Sequence, residues 1–527
     1  MQSTETPLKR TRRFRPILLV PVFTLIALLC WVFASPIASS PDDDYHLASI
    51  WCGLGERPGL CESVPGHPNE RTVPWAVGQT PCSRHFVGSD ETCPVDGLAP
   101  DSMVTVSHVN STGSYPPLYY ATMGLFASTN FTFSILLMRA INVILFVGIT
   151  SLLYFLLSPS RRRTLVWTWS IVIVPLGAFL IASNNPSAWG IISAGSLWLA
   201  LVGYFEQNGW RSISLGALAL VAAVMGAGAR ADAAIYAVIG VVIALVMTMS
   251  RTRAFWLKAL LPLGIVIVAG LFYLLSNQSG VASNGLTGMH TAGAINGAGL
   301  VWYNLLWTPS LWAGVLGTWR LGWLDTWVPA ITSTIGILAF GAATFTGIAS
   351  WSARKLTALV IAIVALFAIP GYILYKSHAI VTQEVQPRYI MPLVIIFAGV
   401  ALLQVGARLV DFTRLQTLVV VIGVSVANSA ALHDTMQRYI SGFYVYDWNL
   451  DHAQHWWWNT PVPPMAVWIV GSLAFAAAVY FALTPRPLAG EAEASSSARF
   501  SVVDEADADR RSPATAEAIA QATPITR

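Results

Sequence analysis

Three consecutive carboxylates, Asp42, Asp43 and Asp44, precede His46 in the stretch SPDDDYHLASIWC at residues 40–52. Adjacent like charges repel unless a proton or a cation intervenes. One carboxylate could therefore serve as a general base, or two could share a divalent cation with His46. The bland alternative is a helix end in water, where carboxylates are solvated. On the chemical reading Asp42, Asp43 and His46 are the catalytic candidates, Asp44 turns to solvent, and the one cofactor class suggested is a divalent metal cation. Arg139 and Asn142 are three residues apart inside an apolar run and share a helix face. An arginine at mid-bilayer costs roughly 3 kcal/mol, so Arg139 either snorkels to the interface or faces a cavity, where it would meet a lipid phosphate or an Asp42–Asp44 carboxylate. Asn184, Asn185 and Pro186 form a turn signal. Arg388 and Tyr389 begin another apolar run. An arginine there suggests an anionic partner such as a phosphate or pyrophosphate. Arg139, Asn142, Asn185, Arg388 and Tyr389 are thus the substrate-binding candidates. Arg230 and Asp232 read as a simple structural pair.

The elements that must position these groups are membrane helices. The chain of 527 residues is 55% hydrophobic and 11% charged, with mean hydropathy +0.60, whereas soluble domains carry about 25% charged residues. Apolar runs lie near 17–38, 131–157, 165–182, 186–205, 212–228, 233–249, 258–276, 329–349, 356–376, 390–407, 415–433 and 465–483. The expected fold is an all-α polytopic membrane protein with about 12 transmembrane helices. A cleavable signal peptide competes for the first run, but its length of about 20 residues suits a full span better. With the basic segment 1–16 taken as cytoplasmic, alternate connections and the C-terminal tail bring that side to 21 of the 30 Lys and Arg. The positive-inside rule then puts both termini in the cytoplasm and the large connections outside. The expected organisation is the basic N-terminus, a first span over 17–38, an extracytoplasmic loop over 39–130, a multi-span domain over 131–483 with outer segments 277–328 and 434–464, and a disordered cytoplasmic tail over 484–527. No basic stripe interleaved with aromatics points to nucleic acid; the expected partners begin with membrane lipids.

Four of the five cysteines, Cys52, Cys61, Cys82 and Cys93, fall in the first outer loop. That suggests two disulfides, with three pairings open and the sequence-local one, Cys52–Cys61 with Cys82–Cys93, favoured. A zinc site is the alternative, although no C-x-x-C pair is present. Segment 277–328 holds six tryptophans, of which Trp319, Trp323 and Trp327 would share one face of a helix. They read either as an interfacial belt or as a wall for sugar or lipid. Asp451 and His455, four apart, give a weak metal signal.

PDDDYH at 41–46 resembles the P-D-E-x-x-H signature of the bacterial polytopic family called domain of unknown function 2142. The resemblance continues collinearly through YPPLYY at 115–120, RAIN at 139–142, NNPSAW at 184–189 and VQPRYIMPL at 385–393. Asp43 stands where that family usually has Glu, and Pro387 where it has Gly. The layout, with an acidic residue in a large outer loop just after the first span, is similar to that of C-type membrane glycosyltransferases. The analogy concerns architecture only, and no distinct soluble C-terminal domain is visible. It implies an enzyme of the bacterial plasma membrane that takes a polyprenyl-phosphate-linked sugar and an envelope glycan acceptor at the outer face. A transporter or flippase of a lipid-linked envelope precursor, or an assembly scaffold without turnover, are the competing expectations. A transporter would place its ionisable groups nearer the bilayer midplane.

Overall fold

The computed structural model describes residues 16–78, 99–285, 297–381, 383, 385–405, 412–442, 445, 447–452, 456–458 and 460–484. Cys82, Cys93, His455 and the tail from residue 485, on which several of the expectations above fall, lie outside them.

Eleven helices among the described residues are long and apolar enough to cross a membrane, and the shorter Pro387–Leu402 helix makes a twelfth apolar element. All twelve expected runs are helices. The protein is a multi-pass, nearly all-α membrane protein. The helices sort by burial. Pro159–Ile181 and Ser187–Glu206 are enclosed almost all round and form the centre, whereas Arg253–Leu275 leaves most of its leucines and valines uncovered. A helix apolar on every face is stable only when it is surrounded by protein or lipid. Pro387–Leu402, at 16 residues, would rise only about 24 Å, less than the roughly 30 Å of a hydrocarbon core. Nearly every one of its residues is buried, so protein rather than lipid surrounds it.

The first helix, α1 (Val20–Phe33), ends earlier than the expected residue 38. Pro36 and Pro41 follow, and a residue before proline is pushed out of the helical region. The chain then turns into a second helix, α2 (Asp43–Trp51), through Asp42 in the left-handed region at φ 60°. Asp43 and Asp44 sit in the first turn of α2, where a carboxylate is favoured by the helix dipole. Asp43 also accepts the Ser40 N–H at 3.0 Å and the Ser40 hydroxyl proton. The last turn is closed by Arg57, which donates to the carbonyls of Trp51 at 2.6 Å and Gly124 at 3.1 Å. Against α2 packs the short helix Leu118–Gly124. The approach is close enough to require glycine on both sides. A Cβ on Gly53 would stand 2.2 Å from the Tyr120 carbonyl oxygen, and one on Gly124 2.9 Å from that of Ile50.

The first loop holds a feature that hydropathy does not signal, an antiparallel sheet in the order β1 (Glu62–Val64), β2 (His67–Pro74), β3 (Met103–Val106). Cys52 and Cys61 are disulfide-bonded, as the sequence-local pairing expects. The bridge joins the end of α2 to the start of the sheet. Closing a loop of nine residues stabilises by about 2–3 kcal/mol in the chain-entropy account. Replacing both cysteines by serine is therefore expected to speed proteolytic cutting between residues 53 and 62 and to lower the unfolding temperature. Unchanged protease resistance would show that the bridge is dispensable.

Trp319, Trp323 and Trp327 do not share a helical face. Residues 319–327 form a turn closed by the Leu321–Thr326 bridge, with Gly322 and Leu324 at positive φ. Those two backbone conformations break the helical repeat that a spacing of four assumes. The Trp323 indole donates to the Ala38 carbonyl, and the Arg320 guanidinium stacks 3.9 Å over the Trp327 ring.

Candidate functional site

The segment from Val32 to His46 is held by four distant pieces of sequence. Asn185 donates to the Pro41 carbonyl at 2.8 Å, and Arg388 donates to the same carbonyl at 3.1 Å. Arg139 donates to the carbonyls of Val32 at 3.0 Å, Ser35 at 2.7 Å and Pro36 at 2.8 Å. Tyr120 shares a 2.9 Å hydrogen bond with His46 Nδ1. Asn142 donates to the Ser183 carbonyl at 2.8 Å and accepts from the Trp189 indole at 2.9 Å, which fixes the turn that presents Asn185.

These contacts divide the candidates into two groups. The first surrounds Asp42. Its carboxylate lies 2.5 Å from the Arg388 guanidinium, which also donates to the Tyr389 hydroxyl at 3.0 Å. Arg388 is buried, whereas the Asp42 side chain is 38% exposed, so this carboxylate can be reached. Two cations stand over the Tyr389 ring, with Arg388 4.9 Å and Arg230 5.0 Å from its centre. Arg230 also stands 5.7 Å from the centre of the Tyr115 ring and pairs with Asp232 at 2.7 Å. The Tyr236 hydroxyl holds the Tyr389 carbonyl at 2.8 Å. Burial is the largest single influence and works to raise the Asp42 carboxyl, but the Arg388 charge and hydrogen bond together with His46 and His108 outweigh it and hold the group at about 2. His46, by contrast, is pushed down to about 3 by burial, so its ring is neutral at ordinary pH.

The second group surrounds Asp43. This side chain is wholly buried and spent on Ser40. Burial pushes its carboxyl up to about 6, against the nearby positive charge of Arg139 and the Ser40 hydrogen bonds. Arg139 is also wholly buried, with the Trp458 ring 5.7 Å away. It neither snorkels nor faces an open cavity. It closes the end of α1, whose last carbonyls have no partner within the helix.

Asp44 does not turn to free solvent. It lies 3.3 Å from His108 and its side chain is 15% exposed. The three carboxylates and His46 therefore diverge, toward Arg388, Ser40, His108 and Tyr120 respectively. Among the described residues, no three His, Cys, Asp or Glu side chains gather as metal ligands would. Asp451 accepts the Met465 N–H at 3.0 Å and acts as a backbone anchor.

Sequence reasoning missed the second cation. Arg230 and Asp232 do form the expected pair, yet Arg230 also reaches the Tyr389 and Tyr115 rings. Tyr115 and Tyr120 lie in the YPPLYY stretch, and that motif was the available signal. The signal for Arg230 was weaker, an arginine in a short break on the side with few basic residues. A separate apolar cavity of about 120 Å³ lies between α1 and helices Phe131–Leu156, Pro159–Val172 and Pro464–Leu483. Its lining here runs from Ile17, just before α1, to Leu28 on α1, at the end opposite Asp42, and the cavity includes no carboxylate or guanidinium.

The family described as Predicted membrane protein (DUF2142) matches residues 25–397. That range runs from within α1 into the Pro387–Leu402 helix and holds every residue of both groups except Trp458. No curated protein matches the chain.

Proposed function

The chain belongs to the predicted membrane protein family DUF2142, and from that premise we propose that it is a glycosyltransferase-like enzyme of the bacterial cell envelope that uses a polyprenyl-phosphate-linked sugar. The observation that carries the reading is the reachable Asp42 carboxylate held against buried Arg388, with Arg230 over the same Tyr389 ring. Two guanidiniums gathered at one aromatic ring suit a phosphate, which arginine grips through paired donors. The carboxylate beside them suits an acceptor hydroxyl.

In the proposed step the acceptor oxygen bonds to the anomeric carbon as the bond from that carbon to the phosphate oxygen breaks. Asp42 takes the hydroxyl proton, and polyprenyl phosphate leaves against Arg388 and Arg230. A carboxylate held at about 2 is a weak base. When Arg388 turns to the phosphate, the Asp42 pKa rises toward its ordinary value near 4 and its basicity recovers. His46 and Tyr120 position the start of α2. Asp43 and Arg139 have no part in the chemistry, because both are buried and bound to protein.

Asp42→Asn preserves size but cannot accept the proton. It is expected to lower transfer of a radiolabelled sugar from a polyprenyl-phosphate donor by roughly 100-fold or more, while the protein still folds with a stability loss of about 1–2 kcal/mol because buried Arg388 loses its counter-charge. Undiminished transfer would remove the base role, and a complete lack of transfer by the unaltered protein would leave a carrier or a scaffold.

The charge asymmetry of the connections supports an extracytoplasmic position for the first loop and cytoplasmic termini. A cysteine at exposed Ser63 should then react with a membrane-impermeant maleimide in intact cells. Labelling that requires permeabilisation would reverse the orientation.

A further inference from the structure

The Asp42 group contains buried polar atoms that no protein atom satisfies. Asn184 is wholly buried, and neither its amide nitrogen nor its carbonyl oxygen has a hydrogen-bond partner. It sits in the turn whose next residue, Asn185, binds the Pro41 carbonyl. His46 is wholly buried with Nε2 unpartnered. Gln386 Oε1 and Arg388 Nε are likewise buried and unpartnered, on the segment that binds the Pro41 carbonyl from another side. One buried polar group left unmade costs about 1–3 kcal/mol, and native proteins rarely tolerate several together. Three chain segments that meet at the Pro41–His46 turn, through the Asn185 and Arg388 bonds to the Pro41 carbonyl, each carry such a group.

The chemistry of the set narrows what it can bind. A phosphate offers only acceptors, so it could satisfy Arg388 Nε but not both halves of Asn184. Exchanging the oxygen and nitrogen of the Asn184 amide changes nothing, since both atoms lack partners. A matching ligand must donate and accept at neighbouring atoms, as hydroxyl groups do. His46 Nε2 donates or accepts according to the tautomer that the Tyr120 bond selects, and a hydroxyl can serve either role.

We propose that Asn184, Gln386 and His46 form a subsite for a hydroxyl-rich group, a sugar ring, beside the Arg388 and Arg230 phosphate position. This deepens the transferase reading and rests on it for the identity of the neighbouring phosphate. It separates two jobs within one site: the arginines would read the phosphate and the amides would read the sugar.

The test uses the full-length protein in lipid nanodiscs and two probes, methyl glycosides of common hexoses and farnesyl phosphate. The unaltered protein is expected to bind at least one glycoside. Gln386→Met, which keeps chain length, and Asn184→Leu should each weaken glycoside binding roughly tenfold and leave farnesyl phosphate binding within about twofold. Gln386→Met keeps the test open if Asn184→Leu fails to fold. If farnesyl phosphate binds while no glycoside does, or if both variants bind glycoside normally, the subsite is wrong and the phosphate reading survives. If glycoside binds in an Asn184-dependent way and farnesyl phosphate does not, the subsite stands and the lipid-phosphate reading fails. A density map of the glycoside-soaked protein showing only water against Asn184 would also overturn the proposal.

Discussion

Arg139→Met is expected to leave little folded protein. The side chain is wholly buried and donates to three carbonyls at 2.7–3.0 Å. Removing it leaves those acceptors unmade and strips the buried Asp43 of its nearest positive charge. Three buried acceptors left unmade at about 1–3 kcal/mol each amount to a large share of the roughly 5–15 kcal/mol that holds a typical protein together. Thermal unfolding in detergent, together with the yield of monodisperse protein, measures the effect. Asp43→Asn supplies the control, because asparagine can keep a hydrogen bond with Ser40 while discarding the charge. In the double variant part of the lost stability should return, and the shortfall from additivity measures the coupling between the two residues. An Arg139→Met protein that folds normally but loses transfer would contradict this account. It would restore Arg139 to the substrate-binding role that the sequence suggested.

Arg388→Met should act differently, with a smaller effect on stability and a larger one on binding. Arg388 ties the Pro41 carbonyl, the Asp42 carboxylate and the Tyr389 hydroxyl together. Asp42 is partly exposed and water can take up its charge, so the stability loss is discounted to about 1–2 kcal/mol. Binding of farnesyl phosphate is expected to fall by roughly 30-fold or more, as when one partner of a buried charged contact is removed. Arg388→Lys should rescue only part of it. An ammonium is a compact point charge and cannot span the three acceptors that the planar guanidinium reaches. Should Arg388→Met fold and still bind farnesyl phosphate with unaltered affinity, the phosphate position must be sought elsewhere. The same binding measured with Arg388→Lys near the unaltered value would reduce the role to charge alone.

The helices were legible because membrane insertion writes itself into composition. A span needs about 20 apolar residues in a row, and all twelve runs are helices in the structure. The ends were less legible. The first run reads apolar to residue 38, but α1 stops at Phe33 because Pro36 and Pro41 redirect the chain. The small sheet was hidden, since its strands are short and mostly polar and lie in a loop whose pairing depends on distant partners. The local disulfide was readable from spacing, as Cys52 and Cys61 are near enough in sequence to meet once α2 ends at Trp51.

The site was legible as a set of residues and not as an arrangement. Residue type and position along the spans picked out Asp42, Asp43, Arg139, Asn185 and Arg388, and every one of them lies around the segment from Val32 to His46. What separated them was tertiary. Asp42 and Asp43 are neighbours with the same side chain, yet one faces Arg388 and is reachable while the other is buried and bonded to Ser40. The left-handed turn at Asp42 and the start of α2 at Asp43 send the two carboxylates to different partners. No periodicity in a run of three aspartates could reveal that divergence. Arg230 joins the Asp42 group from a helix that begins more than 180 residues downstream of it, through a stacking contact with Tyr389 that only packing creates. Hydropathy and charge thus determined that this chain crosses a membrane many times and which polar groups stand at helix ends, because burial in lipid constrains each span separately. Which of those groups can meet a ligand was decided by the fold, because exposure and charge pairing belong to contacts between segments and not to any one of them.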